Sequence, residues 1–131
     1  MLGPDCNGAR RGFLLRLDAA LEPEWVRCFG AENSEIVSVA FDGAGNAYAF
    51  GRFSGTMEVA GDTLTRTDLT LFVASLDASG ADRWIKMYPA PAPTRADAIA
   101  RTPDALFITG SFRGKITLGG GWLSVPLIAP A

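Results

Sequence analysis

The chain has 131 residues, 48% hydrophobic and 20% charged, which is enough for one domain with a real core and is not the composition of a disordered segment. A formal net charge of −2 gives no global pull toward nucleic acid or anionic membrane. Histidine is absent, which removes the commonest general base and metal ligand, and two cysteines outside a CxxC spacing cannot form a four-thiolate zinc site.

Residues Met1 to Arg11 contain Gly-Pro and Asn-Gly turn signals and no apolar core of a signal peptide, so they read as an irregular lead-in. No later run approaches the roughly 20 apolar residues of a membrane helix, and no membrane insertion is expected. From Phe13 to Asp18, Phe13, Leu15 and Leu17 alternate with Leu14, Arg16 and Asp18, which predicts a strand whose first set faces a core. Pro23 argues against a helix, and Trp25 to Phe29 reads as the return strand of a hairpin. Cys28 reads as a buried structural thiol, the alternative being a bridge to Cys6.

Ile36 to Asp42 is rich in β-branched and aromatic residues, the turn DGAGN follows, and Ala47 to Phe53 alternates again. Gly55 closes this second hairpin and Met57 to Ala60 forms one more short strand. Leu71 to Pro89, LFVASLDASGADRWIKMYP, is a further hairpin around the turn DASGAD. Ala96 to Arg101, a TPDA turn, Leu106 to Phe112 and Lys115 to Leu118 complete the order. The best helical candidate is Pro93 to Arg101, but its counterpart IVSVAFD favours a strand. The fold class is all-β.

The Leu71–Pro89 stretch repeats Gly12 to Gly30. One offset of 59 residues pairs Phe72 with Phe13, Leu76 with Leu17, Asp77 with Asp18 and Trp84 with Trp25. The same offset pairs Gly51 with Gly110, Phe53 with Phe112, Gly55 with Gly114, Gly61 with Gly120 and Leu64 with Leu123. Two separate blocks sharing one offset define an internal repeat, with residues 12–70 as the first period and 71–131 as the second with its C-terminal tail. Between these blocks the register slips by one residue and recovers. Four to five short strands per period match a β-propeller blade, giving about two blades.

The stretches LFVASLDASGADRWIKMY and VAFDGAGNAYAFGRFSGTMEVAGDTL resemble the bacterial SBBP-type β-propeller repeat family at their tryptophan, glycine and LD-A positions. Thr102 to Ala105 and Leu21 to Glu24 depart from its turn pattern. The resemblance implies sheets arranged radially around a channel, in an exported or cell-envelope bacterial protein, with no known catalytic residue to carry over. On that reading residues 36–88 hold one whole blade between two halves. A longer parent propeller and a head-to-tail ring of copies both complete them, and a fragment or component of a larger assembly is favoured.

Residues kept in both periods are most simply structural: Trp25 and Trp84, Phe13 and Phe72, Phe53 and Phe112, Gly51 and Gly110. Residues unique to one period are where a site could sit, which singles out Trp122 and Arg113 as an aromatic and cationic surface for a sugar or peptide. The carboxylates Glu32, Glu35, Asp97 and Asp104 show no acid–base pairing pattern, and DGAGN is too short for a calcium loop of about 12 residues. No catalytic residue, metal or cofactor is assigned. The expected function is a non-enzymatic binding or scaffolding module with a protein or carbohydrate ligand. The rivals are a propeller-based hydrolase or quinone-type oxidoreductase, and a lectin-like sugar binder.

Overall fold

The computed structural model describes residues 10–30, 32–59, 62–89, 94–113, 115–117 and 122–124, and among these described residues it has ten strands and no helix. In chain order they are β1 (Gly12–Leu17), β2 (Pro23–Phe29), β3 (Asn33–Phe41), β4 (Ala47–Val59), β5 (Asp62–Leu76), β6 (Asp82–Pro89), β7 (Thr94–Thr102), β8 (Ala105–Phe112), β9 (Lys115–Thr117) and β10 (Trp122–Ser124). Every pairing is antiparallel. The sheets are β1-β2, the four-stranded β3-β4-β5-β6, β7-β8 and β9-β10. Most of the lead-in, Gly61, Gly114 and Gly120, residues 90–93 and the tail from 125 onward lie outside the described residues.

The offset of 59 reappears as hydrogen-bond register. Phe13 opposite Cys28 in β1-β2 corresponds to Phe72 opposite Met87 in β5-β6, and each strand pair has its irregularity at one place, Arg16/Leu17 and Ser75/Leu76. Met57 opposite Leu64 corresponds to Leu123 opposite Ile116. The slipped segment is visible too. Gly51 pairs with Ile36 and Gly110 with Ala96, so β3 maps onto β7 with one residue more than β4 needs to map onto β8. The shorter turn at Pro103 and Asp104 absorbs the difference.

The stretch from Pro93 to Arg101 is strand from Thr94 onward, as its counterpart implied. Two expectations change. The short strand at Met57 is the outer half of β4, which runs on through Gly55, and β5 begins at Asp62. Gly55 has φ +93 and sits at the irregularity between Phe53 and Gly55, so it bends a continuous strand instead of ending it. The second concerns Phe13, Leu15 and Leu17, predicted to face a core. They are 62%, 40% and 43% exposed, while Leu14 on the other face is buried.

The four-stranded sheet is apolar on both faces, as a covered sheet must be. One face carries Ala47, Ala49, Phe53, Met57, Phe72, Ala74 and Leu76, packed against Leu14, Trp25 and Phe29 of the first hairpin. The other carries Tyr48, Phe50, Leu71 and Val73, packed against Ala96 and Ile99 of β7, with Leu106, Ile108 and Phe112 of β8 alongside. The rings of Phe29 and Phe53 lie 6.0 and 5.7 Å from that of Phe72, the second edge-on. Each such side chain, fully buried, contributes about 1.5–3 kcal/mol by leaving water.

Candidate functional site

Aspartates set the hairpin turns. Asp18 Oδ1 accepts from the Ala20 and Glu22 amides, and Asp77 Oδ1 accepts from the Ser79 and Ala81 amides and the Ser79 hydroxyl. Hydrogen bonds from Ser79 and Ala81 hold the Asp77 carboxyl below the usual carboxylate range. Asp42 is bound more heavily still. It accepts from the Asn46 side chain at 2.8 Å, from the Tyr48 hydroxyl at 2.9 Å and from the Ala44 and Asn46 amides. The Asn46 side chain is the largest cause of its strongly lowered pKa. Held in the charged form, Asp42 and Asp77 accept hydrogen bonds and do not deliver protons near neutrality. With Asp18 they build the turns.

The turn of the first hairpin has one strained residue. Leu21 takes φ 68, the left-handed conformation that Gly80 takes with φ +89 at the equivalent position of the other hairpin. The repeat therefore demands a positive φ there, and leucine meets the demand at a steric cost.

Other charged groups are matched to partners. Glu35 bridges Arg10 at 2.9 Å and Arg52 at 2.5 Å, and Arg52 also donates to the Thr94 carbonyl. Arg10, Glu35 and Arg52 line a cleft of about 220 Å³ with Asn33, Ser34 and Leu69. Arg27 pairs with Asp82 at 2.5 Å and donates to the Gly80 carbonyl, tying the first hairpin to the second turn of its kind. Arg83 donates to the Ser75 hydroxyl and lies 5.9 Å from the Tyr48 ring centroid. Glu32 accepts from the Thr56 amide, and Asp97 pairs with Arg95. Among the described residues no group of three His, Cys, Asp or Glu converges as a metal site would require.

The residues shared by both periods fall at equivalent backbone places in different surroundings. Trp25 is buried and its indole N–H donates to the Ala78 carbonyl at 3.0 Å, whereas Trp84 is half-buried, 6.0 Å from the Tyr48 ring. Phe53 and Phe72 are fully buried, Phe112 is half-buried and Phe13 exposed. Gly51 and Gly110 both lack a positive φ. Their reason is close approach, since a Cβ would overlap the Glu35 carbonyl oxygen in one case and that of Arg95 in the other.

Arg113 is exposed, one residue beyond β8, and Trp122 opens β10 opposite Thr117. The Trp122 side chain lies outside the described residues. Cys28 corrects an expectation: it is disulfide-bonded, and the one other cysteine of the chain, Cys6, lies outside the described residues. Replacement of Cys28 by Met87 in the second period showed only that its slot suits an apolar side chain, which a half-cystine also satisfies.

The sequence pattern gave no warning of the Glu35–Arg10–Arg52 group or the Arg27–Asp82 pair. Glu35 and Arg52, 17 residues apart, face each other across the β3-β4 ladder, whereas Arg10–Glu35 and Arg27–Asp82, 25 and 55 residues apart, meet only where the first hairpin lies against the four-stranded sheet. Searches against family models, curated proteins and solved structures found no match for this chain.

Proposed function

We propose that the chain is a non-enzymatic repeat module of β-propeller-blade type, of the kind the SBBP resemblance implies, that binds or scaffolds at the bacterial cell surface or outside the cell. The observation that carries the reading is the repeated register. Three successive sheets pack face to face, and the residues common to both periods serve packing and turns instead of converging on a catalytic group. The disulfide at Cys28 suits an oxidising compartment. Paired arginines and turn-locked aspartates supply no group poised for proton transfer, which favours binding over catalysis.

The ligand is a protein or carbohydrate, contacted through Trp122 and Arg113, the residues that depart from the repeat. Glycan and peptide arrays probed with the pure chain test this, followed by Trp122→Ala and Arg113→Ala. The reading expects at least a tenfold loss for one of them, about 1.4 kcal/mol. Binding unchanged in both variants removes this ligand surface, and turnover of an arrayed compound removes the non-enzymatic reading.

A further inference from the structure

We propose that β1 of a second copy of this chain adds to the free edge of β8, with Phe13 of that copy seated in a cavity beside Gly110. The inference goes beyond the binding reading: it rests on register and holds whatever the module binds. Among the described residues β1 pairs only with β2 and β8 only with β7, so each leaves one edge without a ladder. Such edges invite strand addition.

The complete sheet supplies the template. There β4 pairs with β5, Gly51 facing Phe72, Ala49 facing Ala74 and Ala47 facing Leu76. The repeat equates β4 with β8 and this half of β5 with β1. Transferred by 59 residues, the ladder places Gly110 opposite Phe13 of the copy, Ile108 opposite Leu15 and Leu106 opposite Leu17. The three side chains of β1 that lie exposed are those whose counterparts Phe72, Ala74 and Leu76 are essentially fully buried.

A knob also finds its hole. In the complete sheet the Phe72 ring lies against Phe53 and Phe29. Their equivalents across the repeat are Phe112 and Tyr88, both half-buried and packed against the second core cluster. Beside them a cavity of about 330 Å³ is lined by Phe50, Leu71, Thr94, Ile108, Gly110 and Phe112. It is predominantly apolar, and it borders Gly110, which the transferred ladder sets opposite Phe13 of the copy as Gly51 stands opposite Phe72. The same register sets Arg16 of the copy opposite Phe107, which is 56% exposed, where the complete sheet has Ser75 opposite Tyr48. Tyr48 receives its guanidinium from Arg83. At the junction Arg16 of the copy would bring one to Phe107 from the paired strand itself.

The occupant is a second copy because β1 is the described strand that carries exposed apolar side chains, Phe13, Leu15 and Leu17, at the ladder positions where β5 has the buried Phe72, Ala74 and Leu76. The contact is heterologous, the edge of β8 on one copy against β1 of the next, so it repeats until rotation closes a ring or a filament grows.

Light scattering on the purified full chain tests the proposal. The expected result is an assembly of two or more copies, reduced by Phe13→Lys to the mass of a single chain with an unchanged far-ultraviolet circular dichroism spectrum. Phe107→Glu approaches the same junction from the β8 side and serves if Phe13→Lys does not fold. Mixing Arg16→Cys chains with Phe107→Cys chains should give an oxidised cross-linked dimer that neither variant gives alone. A wild-type chain that stays monomeric across concentrations overturns the proposal. So does an assembly that persists in both charge variants, or one that cross-links like with like.

Discussion

The first hairpin and the β5-β6 hairpin share turn chemistry and register, yet they live in different surroundings. Phe72 is fully buried while Phe13, at the matching ladder position, is 62% exposed. Trp25 is buried and hydrogen-bonded to Ala78, whereas Trp84 is only half-buried. The comparison teaches that repeat identity fixes the backbone and the ladder, and that burial is set by whichever sheet lies next to each face. The sheet in the middle has neighbours on both faces, so both of its faces carry buried apolar side chains.

The sharpest way to break this comparison is to truncate matched residues. Phe72→Ala should cost about 3–5 kcal/mol in urea melts, the usual loss for a buried phenylalanine. Phe13→Ala, measured on dilute chains, should cost less than about 0.5 kcal/mol. Equal losses would mean that both faces are covered.

A second difference lies next to Phe13 in the ladder. The first hairpin holds a disulfide at Cys28 where the other has Met87. Cys28→Ser should destabilise by about 2–4 kcal/mol relative to the oxidised chain, and adding reductant to the wild type should give the same shift. Mass spectrometry after alkylation without reductant should find no free thiol.

The turn glycine gives smaller effects of opposite sign. Gly80 has φ +89 and a Cβ there would lie 2.8 Å from the Trp25 ring, so Gly80→Ala should cost about 2 kcal/mol. Leu21 adopts the same left-handed backbone and is 74% exposed, so Leu21→Gly should raise stability by up to about 1 kcal/mol. Thermal melts of the two variants separate them. A loss in Leu21→Gly would show that the leucine side chain makes a compensating contact.

The acid limb adds a last, graded test. Asp42 and Asp77 have pKa values lowered by hydrogen bonds in the folded state from an ordinary value of 3.8. A lowered folded pKa means that the unfolded chain binds the proton first. The stability these groups contribute is therefore full above about pH 4 and is lost as the pH falls through the lower folded values. Asp42→Asn should flatten the fall in melting temperature below that pH, and an unchanged acid limb would show that other carboxylates govern it.

Much of the fold was legible because alternation, turn residues and the repeated spacing are local signals. The hairpins at Phe13 to Phe29, Ile36 to Phe53 and Leu71 to Pro89, and the one-residue slip between periods, followed from them. Alternation could not say which face of β1 finds a neighbour. Phe13, Leu15 and Leu17 look like core residues in the sequence, and the strand's buried contact is made by Leu14 instead. Gly51 and Gly110 stood out as shared residues, but their close approach to a neighbouring carbonyl needs the sheet geometry. Trp122 and Arg113 were singled out by difference between the periods, a signal that marks positions without placing their side chains.

The central claim is that the β1-β2 and β5-β6 hairpins, and the Met57–Leu64 and Ile116–Leu123 pairings, share one register displaced by 59 residues. Cross-strand nuclear Overhauser effects measure it directly. The account predicts cross-strand contacts between Phe13 and Cys28 and between Phe72 and Met87, together with the pairs Met57–Leu64 and Ile116–Leu123. A ladder offset by one residue in either member of a pair, or one hairpin lacking the contacts, would contradict it.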